Sequence, residues 1–401
     1  MLVLRWALTI VLAVSVGAAA RAAEPVRIGL DAEFGLIGST SAQAIEQGIS
    51  VAIAEINATG GVLGGRPLEL VKRDNRSVPA RSRENLAELA AMPDMVAVYC
   101  GRFSPVVLEN LDLIHRLGLI LMDPWASADG ITDNGFQPNY VFRLSLRDRW
   151  AMPEMMRHAM AKGASRIGVL APNTGWGRSG VAAIERSAGS GMPTVAGVAW
   201  YNWGDKSLAR PYVDLLRKGA QAILFIANDA EGAVLIREVA AMPADERLPL
   251  VMHWGVTGGS LVSQAGEAMA ALDLSVVQTF SFATAHPRKV ASFMARWQAL
   301  YGAAEPGAIA APVGVAHAYD LTHILARAID IAGTTDRAHV RAALERVREH
   351  DGLVRRYAQP FSALDHDALG PENVFMAVPL TDGTIRPLPR ARMRHDGGTA
   401  R

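Results

Sequence analysis

A single cysteine, Cys100, stands in the 401 residues, so no intramolecular disulfide can staple the fold in any redox compartment. It closes the apolar run Met95-Val-Ala-Val-Tyr-Cys100 and reads as a buried, inert thiol rather than a nucleophile. Aromatic residues make up only 6%, and Ala, Val, Ile, Leu and Gly fill the apolar share, which fits α/β layers better than an all-β sandwich. An excess of either charge is missing too. The 40 basic and 39 acidic residues leave a formal charge of +1, which argues against a nucleic-acid partner or an anionic membrane surface.

The signatures of catalysis and phosphate binding are absent. There is no G-x-x-x-x-G-K-[ST] loop, no G-x-S-x-G elbow, no H-E-x-x-H and no C-x-x-C. The turn after the first predicted strand reads Gly35-Leu36-Ile37-Gly38-Ser39, a poor match to a dinucleotide fingerprint. The ten histidines are scattered; only His253 is placed near a cleft, as a satisfied residue at a strand end. No nucleophile–base pair has recognisable spacing, so an enzyme is not expected, nor a metal or a cofactor.

What is present begins with a leader. Arg5, the small-residue apolar stretch Leu8 to Ala20 and the motif Ala20-Arg21-Ala22 predict a signal peptide over 1–22. The mature chain is expected in the periplasm, soluble, with a net charge of −1 once Arg5 and Arg21 leave. No cysteine lies near the cleavage site to carry a lipid, and no later apolar run is long enough to cross a bilayer.

Short β-branched runs then alternate with longer amphipathic ones. Val26 to Leu30 reads as a strand; Ile45, Ile49, Ala52, Ile53 and Ile56 recur at helical spacing and stop at Asn57-Ala58-Thr59-Gly60-Gly61. Further strands are predicted over 95–100, 119–122, 140–144, 166–171, 194–201, 221–227, 248–253 and 274–282, with helices between them, including 105–117. Repeated β-α-β units imply parallel sheets with right-handed crossovers. About ten strands are too many for one strongly twisted sheet, so two domains are expected, with a boundary near Phe142 to Arg147.

Ligands in open α/β sheets bind beyond the carboxyl ends of the strands, so the residues after each strand are the candidates. After 95–100 comes Gly101-Arg102-Phe103-Ser104-Pro105, with Ser104 as an expected N-cap able to meet a carboxylate. After 119–122 comes Asp123-Pro124-Trp125-Ala126-Ser127, a tight turn with a hydroxyl and a flat apolar wall. Trp176, Asn228, Asp229 and Trp254 follow later strands. Asp123 and Asp229 are the acids that could meet a cationic ligand group.

In combination these residues resemble a known family. The stretch Gln47-Gly48 and Ala54-Glu55-Ile56-Asn57-Ala58-Thr59-Gly60-Gly61-Val62-Leu63-Gly64-Gly65 is similar to the first helix of type I periplasmic solute-binding proteins of ABC importers, in the branched-chain amino-acid (leucine/isoleucine/valine) branch. Asp74, Gly101-x-x-Ser104, Pro124-x-Ala126-Ser127, Tyr319-Asp320 and Ala342-Ala343-Leu344 follow in the family's order. The resemblance implies two Rossmann-like lobes joined by a three-crossing hinge. Lobe 1 is expected over 23–144 plus 282–350, lobe 2 over 145–281 plus 351–390, and a polar tail over 391–401. It also implies a monomeric, non-catalytic receptor, with a small-molecule ligand and an ABC permease of the inner membrane as partners. Carried over, Ser104 would bind a ligand carboxylate, the Ala126 carbonyl and Ser127 hydroxyl an amine, and Trp176 would stand where a tyrosine covers the ligand. Trp254 falls where amino-acid binders place an acid, which favours a flatter, more apolar ligand such as an aromatic acid; Asp229 is the acid left for an amine. A ligand-sensing module that signals to a membrane receptor is the alternative reading.

Overall fold

A computed structural model describes residues 23–389 apart from Ser190; the expected signal peptide and the tail from 391 lie outside the described residues. The chain opens with β1 (Val26–Ala32) and α1 (Ser41–Ala58), then β2 (Leu68–Asp74), α2 (Pro79–Ala90) and β3 (Met95–Cys100). Two short helices, α3 (Ser104–Leu108) and α4 (Leu111–Arg116), lead to β4 (Ile120–Asp123) and β5 (Val141–Arg143). These five strands pair in parallel in the order β2-β1-β3-β4-β5.

The chain then enters a second unit: α5 (Asp148–Ala161), β6 (Arg166–Pro172), α6 (Gly175–Ser187), β7 (Thr194–Tyr201), α7 (Ala209–Arg217) and β8 (Ala222–Phe225). It continues through α8 (Asp229–Ala240), β9 (Leu250–Met252), α9 (Leu261–Ala265) and β10 (Leu274–Gln278). It returns to the first unit for α10 (Pro287–Tyr301), α11 (Pro312–Ala332), α12 (Arg337–Leu344) and the short ribbon β11 (His350–Asp351) and β12 (Arg356–Tyr357). Last come β13 (Phe375–Pro379) and β14 (Ile385–Pro387), back in the second sheet, whose order is β14-β13-β10-β9-β8-β6-β7. The fold is therefore two α/β lobes joined by three crossings, near 143–148, 278–287 and 358–374.

Two expectations need correcting. The second sheet is not wholly parallel: β13 runs antiparallel to β10, and β14 antiparallel to β13. The helix expected over 105–117 is broken, because buried Asn110 turns its amide onto the Pro79 and Val106 carbonyls and opens the ladder between α3 and α4.

Packing follows the sequence pattern. Strands covered on both faces, such as β3, β8, β9 and β10, are buried along their whole length. α1 ends where Gly61, at φ +72°, donates its N–H to the Ile56 carbonyl, a conformation glycine adopts without strain. α1 packs on α11 so closely that a Cβ on Gly48 would lie 2.1 Å from the Val315 carbonyl oxygen. No helix among the described residues is long and apolar enough to cross a membrane.

The first and third crossings run side by side. The Arg143 N–H donates to the His366 carbonyl and the Ala368 N–H to the Arg143 carbonyl, both at 2.8 Å. The fully buried Arg143 side chain pairs with Asp367 and donates to the Ala128 carbonyl and the Thr132 hydroxyl. Arg147 reaches the other Asp367 oxygen at 2.7 Å. Burial pushes the Asp367 carboxyl up, but the Arg143 and Arg147 guanidiniums outweigh it and hold the group below its ordinary 3.8.

Candidate ligand cleft between the lobes

The loops at the carboxyl ends of both sheets meet. On the first lobe, Phe103 caps α3 and Ser104 is its first helical residue, not the N-cap expected. The Ser104 hydroxyl caps no helix. Its oxygen accepts the Ser127 and Ala128 N–H groups, each at 3.2 Å, and so ties the two strand-end turns together. With both lone pairs taken, its own hydrogen is free to donate.

Asp123 is spent on the same scaffold. One of its oxygens accepts from Trp125 N at 2.9 Å and Ala126 N at 2.7 Å. Burial raises its carboxyl to about 7, opposed by Arg143 and by these N–H donors. Asp123 is thus a fully buried turn former and not a partner for a ligand cation, correcting that expectation. Cys100 sits beside it, its thiol pushed well above the usual range by burial and by the Asp123 charge, which keeps it inert.

On the second lobe, Thr174 caps α6 through its hydroxyl and sets Trp176 in the first turn. Asn228 and Asp229 open α8, and Trp254 lies in the turn after β9. Trp203, in the turn after β7, joins them. Trp125 meets Trp254 across the lobe boundary at 5.6 Å between ring centres, and Phe103 meets Trp203 edge-on at 5.2 Å. Gly314 of α11 makes room for this wall: a Cβ there would lie 2.6 Å from the Trp125 ring.

These rings close on a small hollow of about 10 Å³. Of the sequence candidates, Phe103, Ser104, Trp125, Ser127, Trp176, Asn228 and Trp254 all line it. Two do not. Ala126 is wholly buried in the Asp123 turn, and Asp229 faces Arg102 instead. Arg102, which the strand-end reading passed over, is the one charged residue in the lining. Its Nη1 lies 2.8 Å from Asp229 across the boundary, its Nε 4.0 Å from Glu33, and its guanidinium over the Phe103 ring at 4.8 Å. Asp229 also accepts the Ser260 N–H. Its charge is therefore matched within the protein, which corrects the expectation that it supplies an acid for a ligand amine.

Behind the aromatic wall lie two buried histidines. His253 approaches Asp148 at 3.2 Å and presents its ring to the edge of Trp176. His317, on α11, is the second histidine near the cleft, where one was expected. Its Nδ1 contacts the Pro124 carbonyl and its Nε2 the Thr279 hydroxyl; burial lowers it to about 4, so it is neutral at pH 7. Both Arg102 and Trp203 were within reach of the strand-end rule, Arg102 inside the turn already singled out and Trp203 just after a predicted strand.

Further contacts join the lobes around this hollow. The Thr40 and Ser41 N–H groups donate to the Gly258 carbonyl, the Asp129 N–H to the Ser179 hydroxyl, and Arg186 pairs with Asp129. No group of histidine, cysteine and acidic residues suited to a metal ion occurs among the described residues.

With this geometry in place, comparison with known proteins is direct. Residues 25–377 match the family model for periplasmic binding proteins, and the chain belongs to that family. The family consists of solute-binding receptors, and this chain is a receptor of that kind rather than an enzyme. A Leu/Ile/Val-binding protein homologue of Brucella melitensis is 24% identical over 275 residues, 65% of this chain and 73% of that protein. Among solved structures, a type 1 periplasmic binding protein from Bordetella pertussis Tohama I superposes with TM-score 0.81 at 23% identity, covering 91% of this chain and 100% of that one. A solute-binding protein from R. palustris, in complex with 4-hydroxybenzoate, gives TM-score 0.75 at 17% identity, with 91% and 96% covered. The branched-chain amino acid transporter substrate-binding protein LivJ of Streptococcus pneumoniae, in complex with isoleucine, gives 0.76 at 19%, with 91% and 99% covered. These likenesses place the fold.

Proposed function

We propose that this protein is the exported receptor of an ABC importer, which closes two lobes around one amino acid or related small carboxylate and presents it to an inner-membrane permease. The observation that carries the reading is the meeting of aromatic rings from both lobes around Ser104, Ser127 and Asn228 in one hollow. The ligand's carboxylate would accept from the free Ser104 hydroxyl hydrogen and from Ser127. Its apolar body would lie among Trp125, Trp176 and Trp254. Burying about 150 Å² of apolar ligand surface there contributes about 4 kcal/mol.

Closure follows from shared contacts: a ligand that touches both lobes stabilises the joined state over the separated one. The lobes are taken as 23–144 with 282–350 and 145–281 with 351–390, the leader 1–22 as the export signal, and the mature form as a periplasmic monomer. Relatives solved with isoleucine and 4-hydroxybenzoate support the ligand range, and the tryptophan wall favours its aromatic end. The test is a thermal-shift screen of amino acids, benzoates and short-chain acids, followed by calorimetry. A true ligand raises the melting temperature, since it binds only the folded state. If no member of the screen does so, the reading is wrong.

A further inference from the structure

We propose that Arg102 makes this cleft select carboxylates that carry no ammonium group. The inference rests on the cleft assignment above and narrows its ligand class. Three observations converge on it.

First, the only charged residue lining the hollow is a cation, and no carboxylate lines it. Glu33 and Asp229 hold the guanidinium from the protein side. Second, the lining is rich in donors without acceptors. The indole N–H groups of Trp176 and Trp203 are buried with no hydrogen-bond partner, as is Arg102 Nε, while Arg102 Nη1 is held by Asp229. A buried donor left unpaired is costly, and a ligand that supplies acceptors relieves the cost. Third, the acid that could have met an ammonium is committed. Asp229 is tied to Arg102 and to the Ser260 N–H, and Glu33 accepts the Ser41 hydroxyl.

An α-amino acid entering this cleft would bring three N–H donors and a positive charge to a lining that offers unpaired donors and no carboxylate. It would lose the water around its ammonium and gain no counter-charge. The same skeleton without the amine meets no such cost. Bidentate recognition by a guanidinium fork, aided by the Ser104 hydroxyl, suits a carboxylate.

The experiment uses three probes that share one skeleton: 3-phenylpropionate, L-phenylalanine and phenethylamine. Calorimetry on the mature protein is expected to show the acid binding at least tenfold tighter than the amino acid, and the amine not binding. Equal or tighter binding of phenylalanine overturns the inference while leaving the receptor reading intact. Arg102→Gln is expected to lose at least thirtyfold on 3-phenylpropionate and to narrow or invert the preference, because Asp229 and Glu33 are then unmatched. An unchanged preference in that variant overturns it. Should Arg102→Gln fold poorly, the double variant Arg102→Gln with Asp229→Asn removes both charges. It is expected to keep a cooperative melt and to lose the acid without gaining the amine; wild-type acid affinity in it would contradict the proposal. If none of the three probes, nor benzoate, 4-hydroxybenzoate or isoleucine, gives heat, the cleft assignment fails and this inference with it.

Discussion

The hinge and the cleft are both buried, both polar at their centre and both built from residues of distant segments, yet they treat polar groups in opposite ways. At the hinge, Arg143, Arg147, Thr132 and Asp367 satisfy one another: each guanidinium finds a carboxylate, and each oxygen a donor. In the cleft, the Trp176 and Trp203 N–H groups and Arg102 Nε have no hydrogen-bond acceptor. A fully satisfied buried network fixes geometry, while an unsatisfied one invites a partner. The contrast explains how one chain holds its lobes in register while leaving the space between them for chemistry supplied from outside.

Breaking the hinge should have the largest effect. Arg143→Met leaves Asp367 buried beside Arg147 alone and is expected to cost about 3–5 kcal/mol of stability, read by urea denaturation. A change below 1 kcal/mol would remove the hinge from its assigned role. On the cleft side, Trp176→Ala should weaken ligand binding by about 2–3 kcal/mol in calorimetry, and it should also lower the melting temperature without ligand because the ring is buried. Ser104→Ala should cost less, about 1–2 kcal/mol of affinity, because it removes one hydroxyl donor and the oxygen that orders the Ser127 turn. Affinity unchanged in both variants would separate these residues from the ligand.

The smallest effect sharpens the comparison by pH. The Asp367 carboxyl titrates below its ordinary 3.8 in the folded protein. Its contribution to stability is therefore full above that value and is lost as pH falls through the lower, folded-state value. Acid unfolding followed by circular dichroism should show this loss in the wild type and much less of it in Asp367→Asn.

Much of this was legible in the sequence because it depends on local periodicity. The β-α alternation, the Gly60-Gly61 stop of the first helix and the rule that ligands meet the carboxyl ends of strands led to seven residues that line one hollow. What escaped depends on long-range context. β13 and β14 are short antiparallel additions after the last long helix, where no crossover pattern marks a strand. The break at Asn110 needs the Pro79 carbonyl, 31 residues away in sequence. Asp229 reads as a free acid until Arg102 is seen to reach it across the lobe boundary. Charge pairing between lobes is set by the fold, so neither residue's neighbours in sequence announce it.

Four of the eight tryptophans lie at the hollow, so intrinsic fluorescence reports on it directly. The decisive measurement is a fluorescence titration of the mature protein with benzoate, 4-hydroxybenzoate, 3-phenylpropionate and isoleucine, repeated in Trp176→Ala. A saturable emission change with at least one of the acids, weakened in the variant, is the predicted result. Emission that responds to none of the four, or a response that Trp176→Ala leaves untouched, would contradict the claim that loops from both lobes build one carboxylate-binding cleft.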